Sequence, residues 1–138
     1  MAFLLDTTIV SELRRVEPDP KVTAWIAGVA SADLFLSTLI VGEIGRVIEL
    51  LRPNADEHAR ALDVWLGGLV TAYRDRLLPV TAAVADAWGR LGAPRPLQVA
   101  DASKLATADT DGPTFVTSEA QSFADLGVAA LSPRDSPS

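Results

Sequence analysis

The sequence predicts a three-layer α/β/α domain built on a mostly parallel sheet of about five short strands. Three observations lead there. Short, mostly apolar runs recur at Phe3-Leu4-Leu5, Leu34-Phe35-Leu36, Leu77-Leu78-Pro79-Val80, Thr114-Phe115-Val116 and Val128 to Leu131, without the polar alternation of a half-exposed strand. Helical stretches separate these runs, as crossovers between parallel strands require. The chain has 138 residues, 49% of them hydrophobic, which supplies one real core and little room for a second.

The elements follow in order. Phe3-Leu4-Leu5 is a buried strand ending at Asp6. Thr7 or Thr8 caps a helix through Arg15, which the Pro18-Asp19-Pro20 cluster stops. Asp19-Pro20 starts a second helix to about Val29, since proline at the first helical position gives up no hydrogen bond. After the strand at Leu34-Phe35-Leu36, the residues Ile40, Ile44, Val47, Ile48 and Leu51 share one face of a helix from Leu39 to Leu51. Arg52-Pro53-Asn54 breaks it. Asp56-Glu57 then places negative charge in the first turn of a long helix reaching Arg76, with Gly67-Gly68 as the expected place for a bend or a split. Leu77 to Val80 is the third strand, and Thr81 caps a helix to Leu91. The loop Gly92 to Pro96 precedes a helix from about Gln98 to Asp109, followed by the strand at Thr114-Phe115-Val116. A short helix around Phe123 leads to the last strand, Val128 to Leu131. One domain therefore spans residues 1–131, and Ser132 to Ser138 has the composition of a flexible tail.

Composition removes several chemistries. No cysteine means no disulfide framework, no cysteine-ligated zinc and no thiol nucleophile. The single histidine, His58, sits among charged residues and is expected at the surface. It leaves Ser-His-Asp catalysis without a nucleophile elbow to work with. Gly67-Gly68 lacks the Lys-Ser/Thr of a nucleotide-binding loop. A net charge of −6 argues against holding nucleic acid through general positive charge. The longest charge-free stretch, Val22 to Ala32, is far short of the roughly 20 residues of a membrane span. Met1 to Asp6 lacks the basic region of a signal peptide. The expectation is a soluble cytoplasmic domain with no membrane contact.

Parallel sheets carry their working site at the carboxyl ends of the strands. Asp6 is expected at that edge of the first strand, and Glu43 beside the Ile40/Ile44/Val47 stripe. Asp101 stands near the start of the helix after the Gly/Pro-rich loop, and Glu119 follows the fourth strand. Each acid alone has an ordinary explanation: a helix cap for Asp6, a solvated tip for Glu43, dipole complementation for Asp101, a polar loop for Glu119. Together, four acids from four elements repel one another, and a divalent cation is the usual remedy. Oxygen-only ligation favours Mg²⁺ or Mn²⁺, and such an ion suits phosphodiester hydrolysis. Arg14, Arg15, Lys21, Arg46 and Arg52 are candidates for a phosphate-binding rim, with ordinary solvated arginines as the alternative. Trp25, Trp65 and Trp88 are expected in core or subunit packing.

These residues carry a resemblance. Phe3-Leu4-Leu5-Asp6-Thr7-Thr8-Ile9-Val10-Ser11-Glu12-Leu13 resembles the start of a PIN-domain ribonuclease, above all the VapC toxins of bacterial toxin–antitoxin pairs and their FitB-like relatives. The similarity continues through Leu36 to Ile44, resumes at Arg95 to Ala102, and returns at Phe115 to Phe123.

The resemblance implies a Mg²⁺- or Mn²⁺-dependent endoribonuclease with Asp6, Glu43 and Asp101 as principal acids. Asp6 and Asp101 would bind the metal directly, Glu43 directly or through water, and Glu119 would assist a second ion. Thr7 and Thr117 would be supporting hydroxyls, Thr7 orienting the Asp6 carboxylate or a water; for an RNA substrate, Arg14, Arg15 and Arg46 are the candidate contacts among the arginines named above. It also implies a VapB-like antitoxin, a homodimer, and contact with operator DNA only through the antitoxin. Trp65, Leu66, Leu69 and Val70 are candidates for the dimer face or the antitoxin groove, with core packing as the alternative. Thr8 stands where the family commonly has asparagine, and Ser122 where an aspartate usually precedes the phenylalanine. With the three core acids intact, activity is expected to survive with an altered outer shell or substrate preference. A rival reading is a catalytically weak homologue acting mainly in an antitoxin–DNA autorepressor complex. A phosphatase using two aspartates two residues apart is disfavoured, because Thr8 occupies the second position.

Overall fold

Strands β1 (Phe3–Leu5), β2 (Leu34–Ser37), β3 (Leu77–Leu78), β4 (Thr114–Val116) and β5 (Ala130–Leu131) form one sheet in the order β3-β2-β1-β4-β5. Every pairing is parallel. The computed structural model describes residues 1–135. Its helices are α1 (Thr7–Leu13), α2 (Pro20–Ala27), α3 (Leu39–Leu51), α4 (Asp56–Ala72), α5 (Ala82–Gly92) and α6 (Val99–Asp111). Short 3₁₀ turns lie at Ser31–Asp33, Ala120–Leu126 and Pro133–Asp135.

The strands are apolar throughout because both faces of the sheet are covered. Side chains alternate across a strand, so Leu5, Leu34, Leu36 and Val116 point into one layer. There they meet Ile9 and Val10 of α1, Val22 of α2, Ile40, Ile44 and Ile48 of α3, and Leu62 and Leu66 of α4. Leu4 and Phe115 point the other way, against Leu105 and Ala108 of α6 and Phe123. Val84 and Ala87 of α5 close over Ala106 of α6. The result is the three-layer α/β/α fold the sequence predicts.

Local chemistry sets the boundaries. The Asp19 carboxylate caps α2 through Lys21 N–H at 2.9 Å, with Pro20 first in the helix. Thr81 caps α5 through Val84 N–H at 3.2 Å. Gly112 ends α6 at φ 95°, a left-handed conformation that suits glycine. Three expectations need correcting. Asp6, rather than Thr7 or Thr8, caps α1, accepting from Thr7 N–H. Gly67-Gly68 does not split α4, which runs unbroken to Ala72, short of the expected Arg76. The tail does not fray from Ser132: Ser132 and Pro133 are buried, and Arg134 pairs at 2.6 Å with Glu12, itself buried in α1. Residues 136–138 lie outside the described residues.

Chain order reverses between β1 and β4. One half of the sheet grows outward from β1 to β2 and β3, and the other from β4 to β5. The carboxyl ends of β1 and β4 flank this switch, the place where open parallel sheets carry their working site. Asp6 and Thr117 follow those two strand ends, with Asp6 N–H bonded to the Val116 carbonyl at 2.8 Å.

Candidate active site

Asp6 leaves the end of β1 with only 3% of its surface exposed. A buried carboxylate needs donors on both oxygens. Oδ1 accepts from Thr7 N–H at 2.8 Å and from Lys104 Nζ at 2.5 Å. Oδ2 accepts from the hydroxyls of Thr117 at 2.8 Å and Thr8 at 3.2 Å. The Thr8 hydroxyl also accepts from Ser118 N–H at 3.2 Å, tying the loop after β4 to α1. Thr8 thus supplies a polar hold on Asp6. Thr7 contributes its backbone N–H, and its hydroxyl turns instead to Glu43 Oε1 at 2.9 Å.

Glu43 reaches the site from the second turn of α3, and Asp101 from the first turn of α6. Both are about one third exposed, at 30% and 32%. They meet Asp6 around one group that sequence reasoning missed, the ammonium of Lys104. Its Nζ stands 2.5 Å from Asp6 Oδ1, 3.0 Å from Glu43 Oε1, 3.3 Å from Glu43 Oε2 and 3.8 Å from Asp101 Oδ1. Lys104 is only 2% exposed, because seven consecutive residues of α6, Ala102 to Ala108, are buried. The available sign was its spacing: three residues after Asp101, it shares that residue's face of the helix.

Burial drives the Asp101 carboxyl above the ordinary carboxylate range; Lys104 pulls it down, while Asp6 and Glu43 add to the rise. Burial alone would lower the Lys104 ammonium, but Asp6 and Glu43 outweigh it and hold the group above the ordinary lysine value. The amine stays charged, as a buried cation among carboxylates should.

Glu119 does not join this cluster. Its N–H bonds Thr117 Oγ1 at 3.2 Å, and it lines a neighbouring cleft of about 440 Å³ with Asp101, Gln98 and Ser122. On the other side of Glu43 lies a groove of about 170 Å³ lined by Thr7, Arg14, Arg15, Glu43, Val47 and Trp65, among others. The Arg14 guanidinium sits 5.5 Å from the Trp65 ring centroid, within cation–π range. Arg15 pairs with Glu12 at 3.4 Å. Arg46 is exposed on α3, while Arg52 is engaged by Glu49 and Asp63, and Lys21 bonds the Arg134 carbonyl. Leu66 is core and Leu69 and Val70 pack against it, so of the α4 quartet only Trp65 faces the groove. Trp88, expected in packing, is 40% exposed, and His58 is exposed as expected.

The donor set fits a hard divalent cation in its chemistry: three carboxylates, no histidine and no cysteine, gathered on a point that attracts positive charge. As the side chains stand, no group of three or more His, Cys, Asp or Glu among the described residues closes tightly enough to hold a metal ion. The carboxylates are spread around the Lys104 ammonium instead. Among the described residues no helix is long and apolar enough to cross a membrane.

The PIN domain family matches over residues 3–128. Plasmid stability protein StbB of Pseudomonas syringae pv. tomato is 28% identical over 145 residues, covering 95% of this chain and 97% of StbB. Toxin FitB of Neisseria gonorrhoeae is 27% identical over 139 residues, again covering 95% and 97%. The crystal structure of FitAcB from Neisseria gonorrhoeae matches with a TM-score of 0.88 at 26% identity, covering 97% of this chain and 99% of that one. The structure of FitAB bound to an IR36 DNA fragment matches at 0.86 and 25% identity, covering 99% and 98%.

Proposed function

The chain belongs to the PIN-domain family, and on that premise we propose that it is the toxin of a toxin–antitoxin pair, a Mg²⁺- or Mn²⁺-dependent endoribonuclease silenced by a cognate VapB-like antitoxin. One observation carries the reading. Asp6, Glu43 and Asp101 come from three separate elements and converge on one cation position at the switch in strand order. The similarity to toxin FitB and to the DNA-bound FitAB structure supports the biological setting.

Asp6, Glu43 and Asp101 would hold the divalent ion, with Glu119 assisting from the adjoining cleft. When bound, the ion supplies the charge that polarises a phosphodiester and acidifies an attacking water. The chain's own residues do the rest. Thr8, Thr117 and the Thr7 N–H fix the Asp6 carboxylate in direction, so it spends no reorganisation during reaction. Arg14 and Arg15 line the groove beside Glu43 and hold the RNA backbone phosphates, with Arg46 farther out on α3. Attack by water at phosphorus with breakage of the P–O3′ bond would leave a 5′-phosphate on one fragment and a 3′-hydroxyl on the other. Because the net charge is −6, RNA is gripped by this local rim and not by the general field of the protein.

The same groove is the place for an apolar antitoxin segment. Val47, Leu62 and Trp65 line it, and Val47 is 46% exposed. Operator DNA is reached only through the antitoxin, and the toxin works in the cytoplasm as a homodimer. Expression without antitoxin is expected to arrest growth, and Asp101→Asn to relieve the arrest.

The Lys104 ammonium supports a second reading. It neutralises part of the acid cluster with no metal present. On this reading the protein turns RNA over weakly and serves mainly in an antitoxin–DNA autorepressor complex. Harmless expression of the wild-type chain without antitoxin selects it.

A further inference from the structure

We infer that Lys104 is a built-in competitor for the divalent cation: it holds the carboxylates together in the metal-free protein and yields the position when the ion binds. The inference rests on reading Asp6, Glu43 and Asp101 as the ion's ligands.

Three observations converge on it. First, α6 is buried along its middle, yet position 104 carries an ammonium at 2% exposure. Burying such a charge is costly unless it is paired, and here it lies within 3.8 Å of three carboxylates.

Second, Asp6 has no free acceptor site. Its two oxygens offer about four lone-pair directions, and the Thr7 N–H, the Lys104 ammonium and the Thr8 and Thr117 hydroxyls take them. A metal–oxygen bond at Asp6 must displace one donor. The Thr7 N–H is backbone, and the two threonine hydroxyls hang on short branched side chains. Lys104 alone of the four hangs on a flexible four-carbon stem.

Third, the charges leave an appetite for a second cation. Three carboxylates against one ammonium retain a net negative charge at the site, which draws a divalent ion while the lysine still resists its entry.

The test is Mn²⁺ binding to the full chain, followed by electron paramagnetic resonance of the free ion, in wild type, Lys104→Met and Asp101→Asn. Lys104→Met is expected to bind Mn²⁺ more tightly than wild type by about tenfold or more. Asp101→Asn is expected to bind it more weakly. Equal or weaker affinity in Lys104→Met, with Asp101→Asn still impaired, overturns the competitor role and leaves the nuclease reading standing. Failure of both wild type and Lys104→Met to bind Mn²⁺ overturns both. If Lys104→Met does not fold, the ¹⁵Nζ resonance of Lys104 in the wild-type protein decides. Its protection from solvent exchange is expected to fall as Mg²⁺ saturates the site, and a resonance unchanged at saturation overturns the inference.

Discussion

Thr117, one residue past β4, donates its hydroxyl hydrogen to Oδ2 of Asp6, one residue past β1, at 2.8 Å. Both residues are buried, at 0% and 3% exposure, and the bond spans the switch in strand order. It locks the most deeply placed acid to the neighbouring strand. Thr117→Val keeps the shape and removes the donor, so a buried carboxylate oxygen loses a partner. Urea denaturation is expected to show a loss of about 1–3 kcal/mol, with Thr117→Ser losing less. Equal stability of Thr117→Val and wild type would show that the bond does not hold Asp6.

Asp6 and Asp101 differ in what their removal costs. Asp101 is 32% exposed and 3.8 Å from Lys104, so Asp101→Asn is expected to abolish metal-dependent cleavage while leaving the urea midpoint near that of wild type. Asp6→Asn strips Lys104 of its shortest partner and leaves a buried charge poorly paired. It is expected to lose activity and also about 3–5 kcal/mol of stability. A stable Asp6→Asn protein would mean that the Asp6–Lys104 pair contributes little.

Arg14 faces the groove beside Glu43 and stacks on Trp65. Fluorescence anisotropy with labelled RNA, in an Asp101→Asn background, is expected to show weaker binding for Arg14→Ala. The slope of log affinity against log salt should fall by roughly one for one lost phosphate contact. An unchanged slope would remove Arg14 from the RNA rim.

Arg95 bonds Asp125 through Nε at 3.0 Å and Nη2 at 3.1 Å, pinning the loop before α6 to the 3₁₀ turn around Phe123. The hydrogen bonds from Arg95 hold the Asp125 carboxyl below the ordinary carboxylate range. A depressed folded-state pKa contributes stability above the unfolded value of about 3.9, and that contribution is lost as pH falls through the folded value. Both side chains are well exposed, so the consequence is local. Carboxyl ¹³C titration should place Asp125 lower in wild type than in Arg95→Ala. Identical titration curves would show that the pair does not persist in solution.

Much of this was legible in the chain. Phe3-Leu4-Leu5 and Thr114-Phe115-Val116 read as buried strands because the sheet is covered on both faces, and Asp19-Pro20 and Thr81 marked helix starts by their capping chemistry. Asp6, Glu43 and Asp101 could be placed because the carboxyl edge of a parallel sheet is a rule of topology. Lys104 was not legible in the same way. Helical spacing places it beside Asp101, but its role depends on α6 being buried along its middle and on tertiary distances to Asp6 and Glu43 on two other elements, which that spacing does not encode. Glu119 was placed correctly after β4, but that it lines an adjoining cleft with Asp101 and stands apart from the Lys104 cluster follows from tertiary geometry alone. The tail misled because Pro133 and Arg134 have the composition of a loop, while the partner that fixes them, Glu12, lies 122 residues earlier.

Cleavage-site mapping on total RNA bears most directly on the nuclease assignment. Purified wild-type protein, the same protein with chelator, and Asp101→Asn would be compared with and without Mn²⁺. The expected result is a defined set of cuts carrying 5′-phosphates, present only for wild type with the ion. Cuts of equal extent in Asp101→Asn, or cuts by wild type that survive chelation, would contradict a metal-dependent site built on Asp6, Glu43 and Asp101.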